Sequence, residues 1–374
     1  MRKRIARLAL LAVSIAIGFG ILEVGMIVLE PWFSTGFYEY DHDLGFRVRP
    51  ASNGTNRFGF NDGDYPLTRT PGTYRVLVLG DSFGWAGGQD GNYTARLERK
   101  FERHFGDRRV EVINAGYPMS HTGEQLALLE KYGLQYDPDL VVVGFFAGND
   151  FLDAAPHRKR IVVNDTYFDI DRRRERIVFG RPIVPRSRLL HFLRQRLTAA
   201  RHASLQVSES GLPQDIEVTF SKPAFLQVEW SRLEYCNRSR HRRGEFQSEE
   251  MYILASFAKL HDLLKGRGTD LVVAIFPDEF QVDDALAQQI FRAAKLDPAD
   301  YDLRLMQRVL GEYLSSRGIE TIDLLDAFRD ASRDAVLYRP RNSHWNDAGN
   351  ELAASILFTR LQGRAEAALG RTGP

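Results

Sequence analysis

The chain is poor in cysteine: Cys236 is the only one in 374 residues. No disulfide can form within it, and no cysteine-rich metal site can be built. It is equally poor in net charge. Fifty Lys and Arg against 49 Asp and Glu leave +1, so the whole-molecule field gives no footprint for a nucleic acid, and none is expected as a partner. Histidines and carboxylates do not fall at a recognised metal-ligand spacing, and Asp150 and Asp153 read as turn and cap residues. Neither a metal nor a cofactor is expected. Internal repeats are missing, as are low-complexity tracts apart from the last few residues. What remains is a chain with 44% hydrophobic residues, long enough for one large α/β domain or two small ones.

The first 33 residues combine a basic flank with an apolar run. Arg2, Lys3, Arg4 and Arg7 precede Leu8 to Leu29, in which Glu23 is the one charge. About 20 such residues span a bilayer. The basic flank favours a cytoplasmic N-terminus, with the rest of the chain on the far side (periplasmic in a Gram-negative cell). A cleaved signal peptide opens the same way, but this run is long for one and no clear A-x-A site follows, so the expectation is an uncleaved single-pass anchor. Glu23 lies toward the outer end of the run, where its carboxylate could approach the interface. Residues 34–73, rich in Gly, Asn and Asp, read as a turn-filled lead-in.

From Tyr74 onward β-rich and helical patterns alternate. "YRVLVLG" (74–80), "RVEVINAG" (109–116), "DLVVVGFFAG" (139–148), "DLVVAIFP" (270–277) and "IETIDLL" (319–325) read as strands, several apolar on consecutive residues as strands covered on both faces should be. Helical patterns fall at 93–105, 124–134, 249–265, 303–316 and 348–361. Alternation of this kind predicts a parallel sheet of about five strands with right-handed crossovers, and chemistry beyond the carboxyl ends of the strands. The stretch from about 154 to 250 breaks the rhythm and holds 19 Lys and Arg against 12 Asp and Glu. It reads as a solvated basic insertion or as a lid or platform for an anionic polymer or lipid headgroup. It lacks the aromatic interleaving of a nucleic-acid stacking surface.

Three strand ends carry polar residues of interest. Ser82 stands where "LGDSFGWAGG" leaves the first strand, where a hydroxyl would project into the crevice near backbone N–H groups. Asp81 and Ser82 read equally as turn caps. Gly116 closes the second strand, where a backbone N–H could approach an anion. Asn149 closes the third, and its amide can donate to an oxyanion without carrying charge. His344 lies in a late loop, "RPRNSHWNDAG", just before the last helical pattern. Singly these are ordinary loop residues. Together they make a nucleophile, two oxyanion donors and a general base, a set suited to attack on a carbonyl carbon. Asn346 reads as the N-cap of the final helix and Trp345 as a residue that packs the loop onto the sheet.

"GDSF", "NAGYPM", "GND" and "SHWNDAGN" resemble, in order, the four signature blocks of the SGNH (GDSL-type) hydrolases over roughly 74–361. The resemblance implies a flavodoxin-like three-layer sandwich occupying 74–365 and a serine esterase or acyl-transfer chemistry. It assigns Ser82 as nucleophile, Gly116 and Asn149 as oxyanion donors alongside the Ser82 N–H, and His344 as base. It implies an acyl ester as substrate, and the membrane-anchored bacterial members it most resembles include proteins linked to cell-surface polysaccharides, some of which add or remove acetyl groups. It also suggests that the 34–73 lead-in packs beside the active-site face. Family members carry an aspartate two or three residues before this histidine; here those positions hold Asn342 and Arg341. Three readings follow: a Ser-His dyad oriented by a backbone carbonyl, another acid such as Asp334 or Asp347 in the missing place, or a site that binds acyl sugars without turning them over. Hydrolysis and O-acetyl transfer share the acyl-enzyme, so both remain open.

Overall fold

The structure is a computed structural model and describes residues 2–33, 37–52, 54–106, 109–154, 156–163, 166–178, 181–183, 187–190, 192–193 and 219–371. By internal contacts the chain divides into two units, Met1–Arg49 with His157–Val207, and Pro50–Pro156 with Ser208–Pro374. Much of the basic 154–250 stretch, from 194 to 218, lies outside the described residues.

In the first unit a helix runs from Arg2 to Phe33. Its Lys3–Leu29 portion is long and apolar enough, by length and composition, to cross a membrane. Glu23 is the sole acid in this apolar run, and its carboxylate accepts bonds from Ser187 Oγ (2.8 Å), Leu189 N (3.1 Å) and Arg188 N. An isolated carboxylate is costly in an apolar helix, so these three donors account for its presence there. Four short strands make two antiparallel hairpins, β1 (Tyr38–Asp41) with β2 (Gly45–Val48) and β6 (Arg158–Val163) with β7 (Thr166–Asp171). A two-residue pair, β8 (Ile177–Val178) and β9 (Arg181–Pro182), follows. Gly45 has φ +89, and a Cβ there would lie 2.0 Å from Arg160 O, so only glycine allows the two hairpins to meet.

The second unit is built on one parallel sheet of five strands, β3 (Tyr74–Gly80), β4 (Val110–Gly116), β5 (Leu140–Phe146), β10 (Asp270–Phe276) and β11 (Glu320–Asp323), in the order β11-β10-β5-β3-β4. The α/β sandwich expected from the alternating patterns is observed. β3, β4 and β5 are buried at every position, which is why they read as continuous apolar runs rather than alternating ones. One face packs Val76, Val78, Val112, Val142 and Val272 against Leu97 and Phe101 of the Tyr93–Phe105 helix and Leu357 and Leu361 of the Asp347–Arg371 helix. The helices Thr122–Lys131 and Gln247–Lys265 pack together as a second pair. Among the helices that escaped the sequence reading, the two longest are Lys222–Leu233 and Asp284–Ala294. The first lies in a stretch whose basic composition masked its pattern. Cys236 is fully buried in the short turn after it, and burial pushes its thiol well above the ordinary range.

After β3 the chain makes β4 on one side and then returns across to β5 on the other. That reversal opens a crevice at the carboxyl end of β3, where ligands of doubly wound sheets sit. The opposite end of β3 is closed by Arg75, which is fully buried. Its guanidinium meets Glu111 Oε2 (2.5 Å), Pro66 O (2.6 Å), Tyr136 O (2.8 Å) and Leu67 O (3.1 Å). Arg75→Leu strands a buried Glu111 carboxylate and three carbonyls. It should lower unfolding free energy by about 3–5 kcal/mol, seen as an earlier denaturant midpoint, whereas an exposed pair such as Arg333–Asp330 should shift it by less than about 1 kcal/mol when broken.

Candidate active site

Gly80 of β3 pairs with Gly116 of β4, so the first two strands end level. Asp81 then turns the chain, its Oδ1 accepting from Phe83 N at 3.0 Å, and Ser82 opens a single 3-10 turn to Gly84. The capping reading thus fits Asp81, while the Ser82 hydroxyl is used otherwise. Its Oγ lies 2.7 Å from His344 Nε2, across 262 positions of sequence. Phe83 anchors both partners: its ring centroid lies 5.2 Å from the His344 ring, 4.6 Å from Trp345 and 4.7 Å from Phe146. Trp345 is fully buried against Phe276 and Phe328, and Asn346 Oδ1 accepts from Gly349 N at the start of the last helix, both as expected.

Two contacts hold the imidazole. His344 Nδ1 lies 2.8 Å from Asn342 Oδ1 and 3.1 Å from Asn342 O. A backbone carbonyl can only accept, so Nδ1 carries the hydrogen and Nε2 is left as acceptor for the Ser82 hydroxyl. The asparagine amide could present its NH₂ instead, but the carbonyl beside it fixes the tautomer whichever way the amide lies. Burial, with Arg232 and Arg339 nearby, depresses the His344 pKa to about 3. Among the described residues, the contacts of His344 Nδ1 are to Asn342 and to neither Asp334 nor Asp347; Asp347 pairs with Arg96 at 2.9 Å.

The two strand-end donors differ in availability. Gly116 N donates to Asn114 Oδ1 at 2.9 Å, and Gly116 O accepts from Trp85 Nε1 at 2.9 Å. Both backbone groups of Gly116 are therefore committed inside the protein. Its lack of a side chain serves packing, since a Cβ would sit 2.9 Å from Asn114 Oδ1 and 3.1 Å from Gly84 Cα. Asn149 donates one hydrogen of Nδ2 to Asp153 Oδ2 at 2.8 Å, which leaves its second hydrogen, and its Oδ1 is buried with no hydrogen-bond partner among the described residues. Asp150 ties the same turn through Phe146 N at 3.0 Å. Burial raises Asp81 to about 7, and burial together with Asp81 raises Asp150 well above the carboxylate range.

Asn114 was not singled out from the sequence, yet it knits the loops together. Besides Gly116 N, it meets Gly84 O (2.7 Å) and Asn61 O (3.1 Å) through Nδ2, and its own N–H reaches Asp62 Oδ2 at 2.7 Å. Asn61 in turn donates to Gly84 O at 3.1 Å. Part of the lead-in therefore touches the strand-end loops, as the resemblance suggested. Among the described residues, three of the six non-glycine ones with positive φ also fall in these loops: Met119 (+62), Arg341 (+54) and Ser343 (+64). Each such residue costs on the order of 1–3 kcal/mol and persists only where surrounding contacts impose it.

The His344 shift has a consequence for pH. The folded imidazole resists protonation down to about 3, whereas an unfolded one takes a proton below about 6.5. Its contribution to stability is therefore fully present above that value and is lost as pH falls from about 6.5 toward 3. A His344→Gln variant should lose less stability than the native chain between pH 7 and pH 4, measured as the shift in urea midpoint. Parallel losses in the two proteins would contradict a buried neutral imidazole.

Comparison with known proteins adds a partial family match. Residues 237–372 match the model of the SGNH hydrolase-like domain of the acetyltransferase AlgX; His344 lies within the match, and Ser82, Gly116 and Asn149 precede it. Curated protein sequences gave no match. Solved structures with a similar fold include the acetyl xylan esterase AlAXEase, at 16% identity and TM-score 0.40 over 77% of this chain and 99% of that one. A lipase/acylhydrolase from Enterococcus faecalis aligns at 14% identity and TM-score 0.36, over 78% and 97%. A catalytic mutant of Axe2, an acetylxylan esterase from Geobacillus stearothermophilus, aligns at 11% identity and TM-score 0.40, over 81% and 97%. The resemblance carried by the four short blocks is met by a family match over the stretch that supplies the histidine: residues 237–372 are similar to an SGNH hydrolase-like domain.

Proposed function

We propose that the chain is a serine esterase or acyltransferase that works through a Ser82–His344 pair on O-acetyl esters of a glycan. The observation that carries this reading is the 2.7 Å contact between Ser82 Oγ and a buried His344 Nε2 whose other nitrogen is held by an acceptor-only carbonyl. In the first step Nε2 takes the Ser82 proton as Oγ bonds to the acyl carbon, and the carbonyl π electrons move onto oxygen. In the second the tetrahedral anion collapses, the C–O bond to the sugar breaks, and the imidazolium returns its proton to the leaving alkoxide. Water or a second sugar hydroxyl then repeats the sequence in reverse. The Ser82 N–H and the second Nδ2 hydrogen of Asn149 are the oxyanion donors in this reading. Gly116 contributes by letting the β4 loop close on Gly84.

Asn342 orients the imidazole but offers no negative charge to the imidazolium that forms. The aspartate-to-asparagine change that costs ~10⁴ in a serine protease triad acts through the wrong tautomer. Here the carbonyl removes that penalty, which favours a working dyad over a binding-only site. The Arg2–Phe33 helix is assigned as an uncleaved anchor that places the acyl-transfer domain outside the cytoplasm, and 74–365 as that domain. The acetyl group is supported by the family resemblance and by the acetyltransferase of the matching model, and the glycan by the resemblance.

Two measurements test this. With 4-nitrophenyl acetate, Ser82→Ala should lose at least ~10³-fold in kcat and should no longer be labelled by a fluorophosphonate; equal turnover in the two proteins would remove Ser82 from the mechanism. Asn342→Asp should raise kcat by roughly tenfold, the difference between a charged and a neutral hydrogen bond to the imidazolium. A gain near ~10⁴ would mean that the tautomer is not fixed by the carbonyl.

A further inference from the structure

The helix Lys222–Leu233 carries a fully buried acid, Glu229, on a face turned inward. A buried carboxyl needs partners. Ser343 Oγ donates to its Oε1 at 2.6 Å, and Arg232 Nη1 lies 3.0 Å from the same oxygen. Arg232 Nη1 is also 3.5 Å from Asp278 Oδ2, and its guanidinium carbon lies 5.2 Å from the centroid of Phe146, the ring packed on Phe83. Asp278 Oδ1 accepts from Glu279 N at 2.7 Å. Its Oδ2 would be 2.1 Å from a Cβ placed on Gly148, the residue before Asn149. The Glu229–Arg232–Asp278 cluster therefore abuts both the histidine loop and the asparagine loop. A second tie runs from Phe220 N to Arg341 O at 3.1 Å.

Resting on the reading of Ser82 and His344 as the catalytic pair, we propose that Glu229 is a positioning residue that holds His344 through the Ser343 hydroxyl. The reasoning starts from Asn342. Where an aspartate side chain orients the imidazole, it can follow small movements of the loop. Here one of the two contacts is the Asn342 carbonyl, whose place is set by the backbone torsions of residues 342 and 343. Ser343 sits in the left-handed region, between residues that both belong to the site. The Glu229 bond fixes the side chain of this strained residue to a rigid helix, so the carbonyl stays 3.1 Å from Nδ1.

The protonation of the cluster sharpens the test. Burial and then the neighbouring Asp278 push the Glu229 carboxyl well above its ordinary range. Its Oε1 accepts from Ser343 Oγ and lies beside Arg232 Nη1. Glutamine has the same shape and keeps the acceptor, so Glu229→Gln preserves what the proposal requires.

The experiment uses the full chain in detergent with 4-nitrophenyl acetate and compares Ser343→Ala, Glu229→Gln and Glu229→Ala with the native protein. Ser343→Ala should lower kcat by ~30- to 100-fold with KM within about twofold, the signature of a misplaced base rather than lost substrate binding. Fluorophosphonate labelling of Ser82 should slow in parallel. Glu229→Gln should stay within about threefold of native turnover, and Glu229→Ala should resemble Ser343→Ala. If Glu229→Ala does not fold, Ser343→Ala, which deletes one oxygen, still decides. Native kcat in Ser343→Ala, or a loss confined to KM, would overturn the proposal. So would a Glu229→Gln variant as slow as Ser343→Ala. Ser82→Ala separates the two layers: if it turns over at the native rate the serine mechanism itself falls, whereas Ser82 dependence with normal Ser343→Ala turnover removes only the role of Glu229.

Discussion

Parallel pairing with a reversal of direction after β4 is the constraint on which the site depends. It forces the carboxyl ends of β3, β4 and β5 to one edge and puts the switch point of the sheet at the end of β3. The residues that follow those strands, Ser82, the loop beyond Gly116, and Asn149, become neighbours however far apart they lie in sequence. The late loop with His344 then needs only to descend on the same edge, and Trp345 drives it there by burying its ring among Phe83, Phe276 and Phe328. Hydrophobic burial beside the site thus does the positioning that the polar groups exploit.

The polar groups divide the work in an unusual way. A triad relies on one carboxylate both to orient the imidazole and to stabilise its charge. In this chain orientation rests on a carbonyl and an amide of the same residue, Asn342, and the nearest buried acids are set back from the imidazole. Glu229 contacts the neighbouring Ser343 and Asp278 contacts Arg232. The surroundings of His344 hold two arginines that further disfavour its cationic form. The arrangement keeps the imidazole neutral in the resting state, and in the proposed mechanism stabilisation of the transient imidazolium falls to groups that do not touch it.

The strands were legible because burial on both faces leaves a plain mark, runs such as "VLVL" and "LVVV" that nothing but a covered strand requires. The pairing of Ser82 with His344 was legible for a related reason: strand ends are places, and a serine and a histidine at two such places have few alternatives. Other parts were hidden by physics that acts at a distance. Whether Gly116 N–H was available depended on Asn114, whose side chain folds back two residues, and an asparagine in a strand gives no sign of doing so. The Lys222–Leu233 helix and its buried Glu229 were obscured by a basic composition that suggests a solvated surface, because an acid paired inside looks in sequence like an acid exposed outside. Asn342 left three readings open in the sequence, and of these the structure shows the contact that the backbone-carbonyl reading requires.

Cys236 has a practical meaning of its own. It is the single thiol, fully enclosed, and burial holds it in the protonated form; thiolate is what oxidants and alkylating reagents attack. The chain thus carries no reactive thiol of its own. A cysteine introduced on any exposed loop would be the molecule's lone chemical handle, so a spectroscopic probe attached there would report from one known address.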